Sequence, residues 1–494
     1  MTAAETLSTI RTSIPARLDR LRWARWHWTI IIGLGTVWIL DGLEVTIVGS
    51  IAPRLSESNS GLSVTAGQIS GLAAALYVAG ACTGALFFGW LTDRFGRKKL
   101  FMITLGVYLA ATAATALSFA PWWFFLFRFL TGFGIGGEYA AINSAIDELI
   151  PSKHRGRVDL AINGSYWVGA AGGSLLAVVV LNENIFPADV GWRIAFGLGV
   201  VLGLVILLVR RNVPESPRWM FIHGKDKEAE QLVADIEQTV EQQTGESLEN
   251  VDDKTIEIHQ RKSIGFLTIA KTVFTMYPRR TVLGLSLFAG QAFLYNAVTF
   301  GYATILTTFF KVDSGSTGYY FVVIAIGNFL GPLVLGPLFD TIGRRVMISS
   351  TYLLSGILLF VTAWQFDAGN LSATSMTIWW TVVLFFASAG ASSAYLTVSE
   401  VFPMETRAMA IAFFFAVGTG LGGITGPLLF ADLTSSGKVS DTVTAFVIGA
   451  VLMCAAGIVA AFLAVNAERR SLEEIAKPLS ATSGGSPDSV AVSA

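Results

Sequence analysis

The sequence predicts an all-α integral membrane protein: twelve transmembrane helices in two pseudo-symmetric six-helix bundles. Three observations carry this. The apolar residues come in blocks of about 20, the length that crosses a bilayer, and only 14% of residues are charged against 53% hydrophobic. Two phrases occur twice: GWLTDRFGRKK (Gly89 to Lys99) returns as GPLFDTIGRRV (Gly336 to Val346), and ELIPSKHRG (Glu148 to Gly156) as EVFPMETRA (Glu400 to Ala408). Both recur at an offset of about 250 residues, so the chain is two halves built on one plan. Finally, every Lys and Arg except Arg54, Arg128, Arg193, Lys311 and Lys438 falls on one side of the alternating spans. That bias places both termini in the cytoplasm.

The spans are expected at 27–50, 67–91, 100–119, 121–146, 158–181 and 192–211, then at 280–310, 317–339, 346–366, 377–399, 408–431 and 442–465. This divides the chain into a cytoplasmic segment 1–26, a bundle 27–211, a linker 212–279, a second bundle 280–465 and a tail 466–494. Mixed charges at helical spacing from Lys225 predict one or two short, solvated helices in the linker. The Ser- and Gly-rich composition of the tail, clearest after Lys477, predicts disorder. Trp122, Trp123, Trp379 and Trp380 fit an interfacial belt. Cys82 and Cys454 both lie in apolar runs and read as buried filler rather than a disulfide.

Several function classes find no support. The net charge of −1 comes with no basic patch for nucleic acid. No P-loop, HExxH, GxSxG or Cys/His metal spacing is present, so neither an enzyme nor a metal or other cofactor is expected. A membrane chain of two related halves instead points to a secondary transporter, with its site between the halves.

Charges at membrane depth are costly and therefore informative. The spans contain Asp41, Glu44, Arg128 and Glu138. At about 1.5 Å per residue, Asp41 lies about 12 Å and Glu44 about 8 Å below the outer end of span one, with Arg128 of span four about 10 Å deep. Asp41 and Glu44 share a helix face. We therefore expect an Asp41/Glu44–Arg128 proton-coupling cluster, with Glu138 as a further candidate nearer the cytoplasm. A carboxylate beside an Arg ionises easily, and desolvation opposes this, so opening and closing a cavity would load and release a proton. The alternative is a static ion pair joining spans one and four.

Polar and aromatic residues at mid-depth are candidate solute ligands: Asn163, Tyr166 and Trp167 in span five, Gln291, Tyr295 and Asn296 in span seven, Asn328 in span eight, and Ser392 and Tyr395 in span ten. Amides and hydroxyls suit a polyol or organic acid, and rings stack on sugar or aryl groups. The repeated loops hold matched acids and bases: Gly89, Asp93, Arg94, Gly96, Arg97, Glu148 and Arg155 in the first half, and Asp340, Arg344, Glu400 and Arg407 in the second. Orientation depends little on Asp or Glu, so the repeated acids suggest gating. Gly89 would allow a close approach of helices, and Asp93 would face the positive N-terminus of a helix in the other half.

These segments carry a family resemblance. GWLTDRFGRKK resembles the loop 2–3 signature of the major facilitator superfamily, and GPLFDTIGRR is its echo at loop 8–9. Arg128 with the glycines that follow resembles the superfamily's span-four pattern. PESPRWM (Pro214 to Met220) is similar to the mark of sugar porters and related metabolite–proton symporters. DGLE (Asp41 to Glu44) resembles the Asp-Gly-x-Asp of aromatic-acid–proton symporters. The departures are one Gln, Gln291, where sugar porters carry two, and a glycine-rich span five without the Pro of drug antiporters. The resemblance implies a monomer of the cell membrane that moves protons and a sugar, polyol, or organic or aromatic acid inward by alternating access. The rival on the same fold is a facilitator or exporter. Span eleven is the implied partner of Asp93.

Overall fold

A computed structural model describes residues 9–210, 214–251, 255–259, 274–403 and 407–476. The first six spans are Arg25–Leu55, Gln68–Ala73 running into Ala74–Phe95, Arg97–Ala116, Pro121–Leu149, Arg155–Gly164 with Tyr166–Val180, and Ala188–Arg210. The second six are Pro278–Phe310, Thr317–Thr341, Arg344–Asp367, Ala373–Val401, Arg407–Phe414 continuing to Ser435, and Val439–Leu463. Among the described residues, ten helices are long and apolar enough to cross a membrane. Two more stretches complete the two sets of six. Span four is 29 residues long, and Arg128, Glu138 and its glycines lower its hydropathy. Span five, expected as one helix, turns at Ser165, whose hydroxyl donates to Gly35 O (3.1 Å) and Ile162 O (2.6 Å).

The sequence repeat is a packing repeat. Span two packs on span four, one on five, and three on six; eight packs on ten, seven on eleven, and nine on twelve. Across the halves, five meets eight, two meets eleven, and one meets seven. Small residues set the closest crossings. A Cβ at Gly132 would lie 1.9 Å from Tyr77 O, and one at Gly136 1.9 Å from Ala81 O. Spans two and four therefore meet backbone to backbone, which brings Tyr77 and Tyr139 to one place. Two π-helical turns, Gln68–Ala73 and Phe415–Thr419, interrupt spans two and eleven; such turns often sit at functional sites.

Outside the spans, the structure departs from expectation in three ways. The linker helix Asp226–Thr244 is not simply solvated: Ala229, Val233, Ile236 and Val240 form a buried stripe at helical spacing. It packs on Ile14, Leu18, Leu21 and Phe221, so the N-terminal segment and linker share a small apolar core. A short antiparallel ribbon, Thr9–Thr12 with Ile256–His259, extends the same contact; it is the one strand pair among the described residues of an otherwise helical fold. The tail is ordered as far as Ala476, with Ala467, Leu472 and Ala476 buried, while 477–494 lie outside the described residues. Trp122 is exposed as a belt residue should be, but Trp380 is fully buried. Cys82 and Cys454 are free thiols.

Candidate functional site

A cavity of about 150 Å³ lies between the halves, some ten times the space that one water needs (roughly 10–15 Å³). Its wall carries residues of spans one, two, four, five, seven, ten and eleven. Eight are aromatic: Trp38, Tyr77, Tyr139, Tyr166, Trp167, Tyr295, Tyr395 and Phe415. Trp38 stacks on Tyr139 (4.8 Å, 13°) and meets Tyr395 edge-on (5.7 Å), while Trp167 tilts against Tyr295 (5.5 Å). Polar groups come from Asn163, Gln291, Asn296, Thr299, Ser388, Ser392 and Thr419. Asp41 is the one ionisable carboxylate on this wall, and no Lys or Arg lines it among the described residues.

The expected three-residue charge cluster divides in two. Glu44 alone pairs with Arg128, Oε1 to Nη2 at 2.7 Å, and its other oxygen accepts from Thr112 Oγ1 (2.8 Å). Asp41 instead accepts from two phenols, Tyr77 and Tyr139, one on each carboxylate oxygen at 2.5 Å. The reason is helical phase. Three residues turn a helix by about 300°, leaving the two side chains some 60° apart, enough to point Asp41 into the cavity and Glu44 behind it. All three groups are about 1% exposed. Arg128 lies over the rings of Tyr77 (5.3 Å) and Phe196 (5.4 Å), outside the lining. Glu138 is also buried off the cavity, accepting from Thr104 Oγ1 at 3.1 Å.

Eight of the candidate solute ligands line the cavity: Asn163, Tyr166, Trp167, Gln291, Tyr295, Asn296, Ser392 and Tyr395. Asn328 does not. It is fully buried behind the wall, bonded to Ile324 O (2.9 Å), and its Oδ1 accepts from Tyr295 OH (3.1 Å). Sequence reasoning missed Trp38, Tyr77, Tyr139, Ser388, Phe415 and Thr419. Trp38 was within reach, three residues before Asp41 and so on the same face. The others become visible only through the packing of spans two, four, ten and eleven.

The loop residues hold the halves together on the face that carries the linker. A Cβ at Gly89 would lie 3.1 Å from Ala412 Cβ of span eleven. Gly96 turns the chain between spans two and three at φ +90, and Gly343 does so between eight and nine at φ +116. After each turn a glutamate accepts a backbone N–H: Glu215 from Lys98 (3.2 Å) and Glu468 from Arg344 (3.3 Å). The side chains of Asp93, Arg94 and Arg97 lie outside the described part of the structure. Their echoes show the arrangement in the second half. Arg344 bonds both oxygens of Glu400 (3.0 Å each) and Asp340 (2.9 Å). Asp340 also accepts from Arg157 N (2.9 Å), at the N-terminus of span five in the other half, where the helix dipole favours an acid. Glu148 accepts from Ser216 Oγ. Arg155 reaches Asp19 (3.7 Å) and Arg470 O (3.4 Å), and buried Arg407 donates to Phe402 O (3.4 Å).

The halves also touch on the opposite side of the cavity. Ser50 Oγ and Tyr302 OH are 2.8 Å apart, and a Cβ at Gly49 would lie 2.2 Å from Thr299 O. At the rim, Arg54 pairs with Glu57 (2.7 Å) and Glu183 (2.6 Å), and Ser314 Oγ donates to Glu57 (3.2 Å).

Two repeated six-helix bundles around one cavity, with inter-half contacts on both sides of it, invite comparison with known proteins. The profile described as "Sugar (and other) transporter" matches residues 28–479. The chain belongs to this family of the major facilitator superfamily. It is a multi-pass membrane transporter of small molecules, not an enzyme. The transporter is 26% identical to the niacin transporter NiaP of Acinetobacter baylyi, over 85% of this chain and 90% of that one. It is also 26% identical to myo-inositol transporter 2 of Schizosaccharomyces pombe, over 79% and 71%. Among solved structures, it superposes on the proton:xylose symporter XylE bound to 6-bromo-6-deoxy-D-glucose, with TM-score 0.73, 17% identity, and 91% and 98% coverage. A partially occluded, inward-open structure of XylE from E. coli gives a TM-score of 0.66 at 18% identity, with 87% and 96% coverage.

Proposed function

We propose that this transporter imports a small hydrophilic organic solute together with a proton, by alternating access, as a monomer in the cell membrane with both termini cytoplasmic. The observation that carries the reading is the position of Asp41: a carboxylate on the cavity wall, held by two tyrosines, with no basic group beside it on that wall. A buried carboxylate without a counter-charge is costly as an anion, so sealing the cavity favours its protonation and wetting the cavity favours release. Glu44 and Arg128, paired behind the wall, join spans one and four and hold span one in phase. The glycine contacts and ion pairs on the two faces act as the gates.

For the cargo, the candidates are a sugar or polyol and an organic or aromatic acid. Relatives named for niacin and myo-inositol support one ring-bearing member of each class. The basis for an ionised acid weakens once Arg128 is engaged by Glu44 and off the wall. The experiment is uptake into proteoliposomes with and without an imposed pH gradient, using solutes that raise the thermal stability of the purified protein. Gradient-driven accumulation supports symport; simple equilibration under both conditions supports the rival facilitator reading.

A further inference from the structure

Four aromatic rings of the cavity wall join the two halves. From the first half come Trp38 of span one and Tyr139 of span four, stacked at 4.8 Å. From the second come Tyr395 of span ten and Phe415, which opens the π-helical turn of span eleven. Phe415 meets the Tyr139 ring edge-on at 4.8 Å, and Tyr395 meets Trp38 at 5.7 Å and Tyr139 at 6.4 Å. Phe288 of span seven backs Tyr395 at 4.8 Å. Tyr139 lies ten residues, about 15 Å, before the end of span four, and Phe415 eight residues, about 12 Å, after the start of span eleven. Both of those helix ends are on the linker face, so parting the halves on that face separates Tyr139 from Phe415. Tyr139 has a second engagement, since its hydroxyl donates to Asp41 Oδ2. Tyr77, which donates to Oδ1, is surrounded differently. Its backbone abuts Gly132 and its ring lies against Arg128, both of span four. Among the described residues no ring of the second half meets it. Of the two phenols, only Tyr139 touches both the acid and an aromatic ring of the opposite half.

We propose that Tyr139 is a positioning residue, a latch that ties the charge on Asp41 to the contact between the halves on the linker face. This rests on the proton-coupled reading above and says how the proton reaches the moving parts. A phenol bond to a carboxylate anion is charge-assisted and roughly twice as strong as one to a neutral acid. Protonation also turns one carboxyl oxygen into a donor. Ionised Asp41 therefore holds Tyr139 against Phe415, and protonated Asp41 loosens it. The other titratable groups around Asp41 are Glu44, Glu138, Tyr108, Tyr166 and Tyr395. Glu44 is paired with Arg128, Glu138 accepts from Thr104, and the phenols are neutral near pH 7. The sign is the one that proton import needs. The ionised carrier keeps its halves together on the linker face, and the loaded carrier is free to part them there. The linkage is reciprocal, so parting the rings alters the hold on the proton in turn.

The test needs no solute. The full-length protein carries Cys82→Ser, Cys454→Ser and Asn296→Cys, in vesicles that expose the linker face. An impermeant thiol reagent then reports how readily the cavity opens to that face. At about pH 9, far above the ordinary carboxylate range, Tyr139→Phe should label about tenfold faster than the parent, the difference between a charge-assisted and a neutral bond. Asp41→Asn should match it, and the two together should add nothing further. Tyr77→Phe, which removes the other phenol, should label at the parental rate. Phe415→Leu leaves Asp41 and both phenols in place and should label as fast as Tyr139→Phe, so the test does not hang on one variant. Lowering the pH should bring the parent toward Asp41→Asn measured at the same pH. Parental labelling of Tyr139→Phe or Phe415→Leu, additive effects of Tyr139→Phe and Asp41→Asn, or equal effects of Tyr77→Phe and Tyr139→Phe would overturn the proposal. The transport reading fails separately. Labelling governed by Tyr139 in a protein that accumulates neither myo-inositol nor nicotinate under a pH gradient keeps the latch and counts against symport. Accumulation by a protein whose labelling ignores Tyr139 does the reverse.

Discussion

At the scale of single residues, two acids three positions apart have been given different surroundings. Asp41 faces the cavity and is held by phenols; Glu44 faces the bundle and is held by a guanidinium. Their substitutions should therefore differ in kind. Asp41→Asn keeps the size and most of the hydrogen bonding but cannot carry a proton, so it should abolish gradient-driven uptake while sparing counterflow exchange. Arg128→Met leaves Glu44 charged and unpaired in the interior. Breaking a buried pair in this way costs about 3–5 kcal/mol, whereas neutralising both partners is far milder. Arg128→Met should thus lower the thermal unfolding temperature in detergent sharply, and Arg128→Met with Glu44→Gln should regain most of it. An Arg128→Met protein as stable as the parent would remove the pair from its structural role.

At the scale of elements, the contacts between halves fall on both sides of the cavity, and each should be separable from the other. Gly89→Leu intrudes on span eleven, where even a Cβ would lie 3.1 Å from Ala412. Gly49→Val intrudes on Thr299 of span seven. The first should hold the linker face open and the second the opposite face. On a background lacking Cys82 and Cys454, a cysteine at Asn296 in the cavity should then react with impermeant thiol reagents from opposite sides in the two variants. Labelling from the same side in both would contradict the gate assignment. The N-terminal segment behaves as a separate element. Burial raises the Glu237 carboxyl, but bonds from Arg17 and Arg20 outweigh this and leave it below its ordinary value. A carboxylate depressed in the folded state stabilises above its unfolded value and loses that contribution as pH falls through the folded one. The N-terminal segment should stay docked on the linker helix at neutral pH and loosen below about pH 4. Glu237→Gln should show the loosened state already at pH 7, read as faster hydrogen exchange in 226–244.

At the scale of the whole molecule, the repeats and apolar blocks were enough to read two bundles of six, because bilayer length and internal duplication leave a direct mark on composition. The cavity was legible where one helix supplies several neighbours: Gln291 and Tyr295 sit four apart, and both line it. It was not legible where the site depends on how helices cross. Tyr77 and Tyr139 reach Asp41 because Gly132 and Gly136 let spans two and four touch, and no spacing in either span announces that. Asn328 shows the converse: mid-depth and polar, it spends its amide on its own helix and on Tyr295. The linker stripe was hidden by its charges, since its apolar positions acquire meaning only opposite the N-terminal helix. What unites the scales is one acidic wall residue, Asp41, which in the proposed mechanism is neutral when the halves exchange. The direct measurement is uptake of a bound solute into proteoliposomes under an imposed inward proton gradient, for the parent and for Asp41→Asn. The account predicts accumulation above equilibrium in the parent and bare equilibration in the variant; accumulation of equal size in both would contradict it.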